Sequence, residues 1–330
     1  FKKFEAAFAA ALRDIRGAYA FAVISAAEPG TIYFARLGSP LVLGLGKKEY
    51  YLASDPTALA GLVKKVMYLD EGARGKITAG GLFVSSHRQK IESLELCATD
   101  VDRGSFRHFM QKEIFEGPEV VRQAMRGRLR ARGGRVKLGG LESVRVQLTN
   151  IERFNILACG TSYYAGLVGK YLFEELAQLP AEVALASEFR YNSTPSIRGT
   201  AGVFISQSGE TADTLAALRK MAAQKCLTLG VVNVPGSSIA RETMAGVYNR
   251  AGAEIGVAST KAFLSQLTVL TLMSLYLAPS SAKSHKIMSG LLAVPQKIES
   301  IHAANNKIKV LEKKYKKYKN FLYIGRGYNY

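Results

Sequence analysis

Two patterns of apolar and polar positions divide the chain. In the first sixteen residues Phe4, Phe8, Ala11, Leu12 and Ile15 recur at helical spacing, and Gly17 ends the pattern. From there the period shortens. Apolar runs at 18–25, 31–36, 41–45, 50–54, 66–69 and 81–85 are separated by Gly, Pro and Asp, which predicts a meandering antiparallel sheet. Periodicity is lost between 87 and about 105, and a linker is predicted there. Beyond it, continuous apolar runs at 154–158, 183–186, 202–205 and 227–232 each lead into small polar residues and then a helical pattern. Continuous runs belong to strands covered on both faces. Their alternation with helices predicts parallel βαβ units in a three-layer α/β sandwich, whose ligands bind beyond the carboxyl ends of the strands. Residues 283–319 read as helical and increasingly basic, and 321–327 repeats the strand-then-glycine pattern of 156–160, which predicts the start of a second unit.

The length of 330 residues, at about 150 per domain, agrees with two cores. With 48% hydrophobic and 22% charged residues the chain can fold on burial alone. Cys97, Cys159 and Cys226 lie far apart with no metal-ligand or redox spacing, which favours reduced thiols in a cytoplasmic protein and implies neither metal nor cofactor. No secretion signal opens the sequence. The most apolar stretch, 262–278, is interrupted by Ser, Gln and Thr and reads as a buried core helix rather than a membrane span. A net charge of +19 admits nucleic acid or an anionic ligand as partner.

The chemistry concentrates at the strand ends. The run 202–205 enters Ser206-Gln-Ser-Gly-Glu-Thr211, and helical periodicity follows. Gly209 lets backbone approach a ligand, the hydroxyls of Ser206, Ser208 and Thr211 can donate to phosphate oxygens, and the helix presents free N–H groups at its positive end. An ordinary N-cap at Ser208 is the competing reading. Cys159-Gly-Thr-Ser162 has the same design, with hydroxyls at Thr161 and Ser162. Two such turns suit a sugar phosphate better than a dinucleotide, whose glycine fingerprint is absent. Cys159 reads as a small core residue, since no His lies near it in sequence. A third segment, 252–263, is a loop of small residues in which Ser259 or Thr260 would cap the next helix and Val257 to Ser259 could wall the crevice. Lys261 and Glu254 read as a structural ion pair or as surface residues rather than ligands.

Five segments in order carry a family resemblance: Cys-Gly-Thr-Ser at 159–162, Ala-Ser-Glu-Phe-Arg-Tyr at 186–191, Ser-Gln-Ser-Gly-Glu-Thr-Ala-Asp-Thr at 206–214, Asn-Val-Pro-Gly-Ser-Ser at 233–238 and Glu-Ile-Gly-Val-Ala-Ser-Thr-Lys-Ala-Phe at 254–263. Together they resemble the glutamine–fructose-6-phosphate aminotransferases (isomerizing), also called glucosamine-6-phosphate synthases. Upstream, Arg16-Gly-Ala-Tyr19, Gly38-Ser-Pro-Leu-Val-Leu-Gly44, Ala53-Ser-Asp55 and 107–114 resemble the later glutaminase domain of that family. The resemblance implies the late part of an antiparallel α+β N-terminal-nucleophile glutaminase domain at 1–86 and a linker at 87–117. It then implies a first sugar-isomerase (SIS) domain, a three-layer αβα sandwich, at 118–300, and a connecting helix with the first strand of a second SIS unit at 301–330. It further implies conversion of fructose 6-phosphate to glucosamine 6-phosphate with ammonia from glutamine, in a homodimer without membrane or nucleic acid. Ser206, Gln207, Ser208 and Thr211 would hold the phosphate, Thr161 and Ser162 would contact the sugar, and Val257 with Ser259 would line the site.

The sequence also departs from that pattern. The family's nucleophile is a Cys at the mature N-terminus, whereas this sequence starts at Phe1, and Cys97 sits in the expected linker. The family's proton-shift base, ring-opening histidine and catalytic lysines fall beyond Tyr330. Gly117 replaces a usual Gln and Met244 a usual Asp. The expectation is a piece of such an enzyme that keeps the sugar-phosphate-binding half, has no catalytic residue of its own and is inactive alone. A non-catalytic sugar-phosphate sensor is the alternative. Nucleic-acid binding through the basic stretches 103–137 and 307–319 is a third reading.

Overall fold

The first helix, α1 (Phe4–Asp14), docks by two aromatic contacts: the rings of Phe4 and Phe8 lie 5.1 and 5.7 Å from that of Tyr33. The structure, a computed structural model, describes residues 3–85, 91–94, 101–129, 135–193 and 198–329. It forms two units, Phe1–Asp102 and Arg103–Tyr330.

The first unit holds β1 (Tyr19–Ile24), β2 (Ile32–Leu37), β3 (Val42–Leu45), β4 (Tyr50–Ala53), β5 (Lys65–Tyr68), β6 (Arg74–Thr78), β7 (Gly81–Val84) and β8 (Ile91–Ser93). These pair antiparallel in two sheets rather than the single expected meander, in the orders β1-β2-β6-β7 and β4-β3-β5-β8. Phe34, Leu43 and Leu69 fill the space between the sheets, joined by Ile77 and Leu82 from one and Leu52 and Met67 from the other. Two strands escaped the sequence pattern. β6 reads Arg-Gly-Lys-Ile-Thr, with one apolar side chain, and β8 is a three-residue edge strand with half-exposed Ile91. β8 pairs with β5 inside the segment expected to be linker, and a helix, α2 (Phe109–Phe115), forms nearer the end of that segment.

The second unit continues with α3 (Gly117–Met125) and α4 (Arg145–Thr149). Then come β9 (Arg153–Ala158), α5 (Gly160–Leu172), β10 (Ala181–Leu185), α6 (Ala186–Phe189), β11 (Thr200–Ser206), α7 (Ala212–Ala223), β12 (Leu227–Val232), α8 (Ser238–Glu242) and β13 (Ala245–Tyr248). Three helices follow, α9 (Lys261–Leu277), α10 (Ala282–Ala303) and α11 (Asn305–Tyr315). The strands make one wholly parallel sheet, ordered β10-β9-β11-β12-β13. Alternate side chains go to opposite layers. Phe154, Ile156, Val203, Ile205, Leu229 and Val231 meet Ala165 of α5 and Val269 and Leu272 of α9. Leu157, Phe204 and Val232 meet Leu215, Leu218 and Met221 of α7 and Ile239 of α8. Burial on both faces explains the apolar runs, broken in β9 by buried Asn155, because neither face offers water to a polar residue. The apolar stretch at 262–278 is α9, wedged against that core, and among the described residues no helix is long and apolar enough to cross a membrane.

At the far end, 321–327 is not a strand. Leu322, Tyr323 and Ile324 are almost fully exposed. A strand needs a ladder partner, and no described segment pairs with it.

Candidate functional site

The chain leaves β9 toward β10 on one side and resumes at β11 on the other. This reversal of strand order opens a crevice at the carboxyl ends of two neighbouring strands. Ala158 and Ile205 are register partners there, so the turns 159–162 and 206–211 leave the sheet side by side. A contact joins them: the Thr214 hydroxyl of α7 donates to Cys159 Sγ at 4.0 Å.

The second turn is braced from within. Ser206, buried at the last position of β11, accepts the Gly209 N–H with its Oγ at 2.9 Å and shares a 2.9 Å hydrogen bond with the Thr211 hydroxyl. Ser208 Oγ accepts the Glu210 N–H at 3.2 Å. Gly209 has φ +69°, and a Cβ there would lie 2.0 Å from Ser237 Oγ, so only glycine fits. Thr211, not Ser208, is the N-cap of α7, and its side chain makes no capping bond. The first-turn N–H groups of a twelve-residue helix are therefore left for another acceptor. Two carboxylates beside this end are already engaged. Asp213 pairs with Arg190 at 2.8 Å, which also raises the arginine's pKa, and Glu210 accepts the Ser238 N–H at 2.7 Å. The Asp213 charge is thus balanced by a guanidinium, while the Glu210 carboxylate is held by a backbone amide of α8.

The first turn has a similar opening. Cys159 is the N-cap of α5 and makes no side-chain cap. Thr161 is exposed in the first helical turn, whereas Ser162 is buried and its Oγ accepts from Gln266 Nε2 of α9 at 2.9 Å. Ser162 thus ties two helices together behind Thr161. Cys226 is buried, and desolvation raises its thiol pKa; Cys97 lies outside the described residues.

The third segment hangs from the end of β12. Asn233 donates its backbone N–H to Gln207 O at 3.3 Å, donates from Nδ2 to Gly252 O at 2.7 Å, and accepts the Ala251 N–H at 2.7 Å. One asparagine therefore joins the cradle turn to the root of the 252–260 loop. Glu254 and Lys261 do not pair with each other. Glu254 caps α9, accepting from Thr260 N, Ala262 N and Ser259 Oγ at 2.8, 3.1 and 2.8 Å, while Lys261 is buried and bonds Glu116 at 2.7 Å. Val257 is fully exposed at the loop tip.

The structure thus gathers Ser206, Gln207, Ser208 and Thr211 in one turn and sets Thr161 and Ser162 on the adjacent one. Val257 and Ser259 sit on a loop whose root Asn233 ties to the 206–211 turn. Sequence reasoning missed Asn233, Ser237, Gln266 and Glu113. Their partners lie up to 143 residues away, and no local spacing signals such a pairing.

Residues 147–276 match the SIS domain family. The glutamine–fructose-6-phosphate aminotransferase (isomerizing) of Chlorobaculum tepidum is 44% identical over 335 residues, 99% of this chain and 55% of that protein. The enzyme of the same name from Bacteroides thetaiotaomicron is 40% identical over 331 residues, 97% of this chain and 54% of its own length. The similarity to enzymes of this name runs over nearly the whole of this chain. The chain spans about half the length of the curated relatives it matches. Among solved structures, the C-terminal domain of glucosamine-fructose-6-phosphate aminotransferase from Francisella tularensis superposes with a TM-score of 0.60 at 35% identity, covering 64% of this chain and 60% of that one. The SIS match contains β9 to β13 and all three site segments.

Proposed function

We propose that the crevice beyond β9 and β11 binds fructose 6-phosphate, and that the chain contributes this binding to glutamine-dependent formation of glucosamine 6-phosphate. The observation that carries the reading is the pair of helices, α5 and α7, that start without side-chain caps at the point where the strand order reverses. The phosphate sits at the amino end of α7. Thr211 and Ser208 hydroxyls donate to its oxygens beside the free N–H groups, and Gly209 keeps the approach clear of side chain. Gln207 belongs to the same turn. Thr161 and Ser162 meet the sugar hydroxyls from the neighbouring turn, and Val257 and Ser259 close the mouth.

The part assigned to these residues is binding and orientation. The carboxylates nearby are engaged in structure, Glu210 on α8, Asp213 on Arg190 and Glu254 on α9, so none is assigned as the base of the proton shift. Residues 118–300 are proposed as the sugar-phosphate unit, a span that contains the matched segment.

Thermal unfolding with added fructose 6-phosphate and with unphosphorylated fructose tests this reading. A ligand held only by the folded chain stabilises it by RT ln(1+[L]/Kd), about 2.7 kcal/mol at a hundredfold excess over Kd. The expected result is a rise in Tm with the phosphorylated sugar alone. Equal responses to both sugars would remove the phosphate cradle from the account.

A further inference from the structure

Glu113, on α2, is only 2% exposed and is paired with backbone rather than with a cation. Its Oε1 accepts the Ile255 N–H at 2.6 Å and the Gly256 N–H at 3.0 Å, and its Oε2 accepts the latter again at 3.2 Å. Burying a carboxylate is costly unless its lone pairs are met by donors. Here they are met by two consecutive amides of the site loop, from an element more than 140 residues earlier in sequence.

The rest of the loop is held in a matching way. Glu254 fixes the following stretch through Ser259, Thr260 and Ala262, Asn233 fixes its root at Ala251 and Gly252, and Glu116, just past the end of α2, bonds Lys261. Between these anchors only Val257 and Ala258 project unsupported, and both are exposed. Gly256 is shaped to its partner, since a Cβ there would lie 2.5 Å from Glu113 Oε2.

We propose that Glu113 is a positioning residue for the sugar-phosphate site: its buried carboxylate clamps Ile255 and Gly256 so that Val257 to Ser259 hold one place at the mouth of the crevice. The inference rests on the reading of that crevice as a fructose 6-phosphate site. Glu113 touches no ligand in this account. It acts on the sugar end, whereas the phosphate is gripped by a turn that Glu113 does not contact, so the two ends of the ligand should respond differently to its loss.

The test is calorimetric titration of the full chain, its Glu113→Gln variant and its Gly256→Ala variant with fructose 6-phosphate and, separately, with inorganic phosphate. Glutamine keeps the shape but removes the charge, and in either orientation of its amide the NH₂ replaces an oxygen that accepts the Gly256 N–H. Gly256→Ala displaces the carboxylate from the opposite side, so it carries the test should Glu113→Gln fail to fold. The expected result is fructose 6-phosphate affinity lower by about tenfold or more, the loss of roughly one charged hydrogen bond, with phosphate affinity within about twofold of the parent. Parental affinity for fructose 6-phosphate in a folded variant would overturn the clamp, and so would an equal loss for both ligands. Absence of fructose 6-phosphate binding by the parent would instead remove the reading of the site, and the clamp with it.

Discussion

Ser206 and Gly209 depend on each other before any ligand arrives. The serine hydroxyl accepts the glycine N–H, and the glycine's missing Cβ leaves room for buried Ser237. Gly209→Ala is therefore expected to push the turn off Ser237 and to abolish fructose 6-phosphate binding, while Ser208→Ala, which removes one hydroxyl, weakens it by about five- to twentyfold. Titration calorimetry separates the two outcomes. In the first unit, the Tyr33 hydroxyl donates to Glu28, which also accepts the Phe4 N–H at the start of α1. The hydrogen bond from Tyr33 lowers the Glu28 pKa below its ordinary 4.5, and the same bond raises that of Tyr33 from 10.0 to about 12. Stability from this contact is present above pH 4.5 and lost as pH falls through the lowered value; at the other end it is present below pH 10 and lost between pH 10 and about 12. Tyr33→Phe should flatten the alkaline loss in a denaturation series, and an unchanged slope would count against the contact. The hydroxyl-rich turn at 206–211 is legible because Ser, Thr and Gly cluster within six residues. The groups that brace the three segments are not, because Ser237 meets Gly209, Gln266 meets Ser162 and Glu113 meets the 255–256 amides only once the sheet has formed.

Strands were legible where burial dictates them. β9, β11 and β12 are sealed on both faces over almost their whole length, so most residues are held to an apolar or small choice, with Asn155 the large polar side chain buried among them, and the runs 154–158, 202–205 and 227–232 mark them within two residues. β6, β8 and β13 escape the apolar pattern because short or edge strands carry little apolar demand, and 321–327 has the local pattern of a strand while nothing described pairs with it. Phe204 sits in the centre of the sheet, wholly buried against α7. Phe204→Ala should destabilise the second unit by about 3–5 kcal/mol, read by urea denaturation, since the transfer loss and the cavity add. A cost under about 1 kcal/mol would mean that this layer is not packed as described.

The arrangement of the whole chain explains why one stretch of sequence supplies every segment of the site. A parallel sheet sends all its carboxyl ends to one edge, and the reversal between β9 and β11 opens that edge where the two hydroxyl-rich turns emerge. The strand–helix alternation foretold the parallel sheet; the order of its strands is set by which faces the helices must cover and cannot be read from spacing. The charge of +19 plays little part in the site, which rests on N–H groups and hydroxyls, with Lys261 buried against Glu116. Fructose 6-phosphate affinity should therefore change by less than about threefold between 50 and 200 mM salt, whereas binding through basic stretches to nucleic acid would fall by orders of magnitude. A steep salt slope for the sugar phosphate would transfer the binding to the surface lysines.

The most direct measurement is a crystal structure of the chain with fructose 6-phosphate. The account predicts the phosphate at the amino end of α7, within about 3 Å of the Ser208 and Thr211 hydroxyls and of first-turn N–H groups, with the sugar reaching Thr161 and the Val257 to Ser259 tip. A phosphate bound elsewhere, or an unoccupied α7 terminus at saturating ligand, would contradict it.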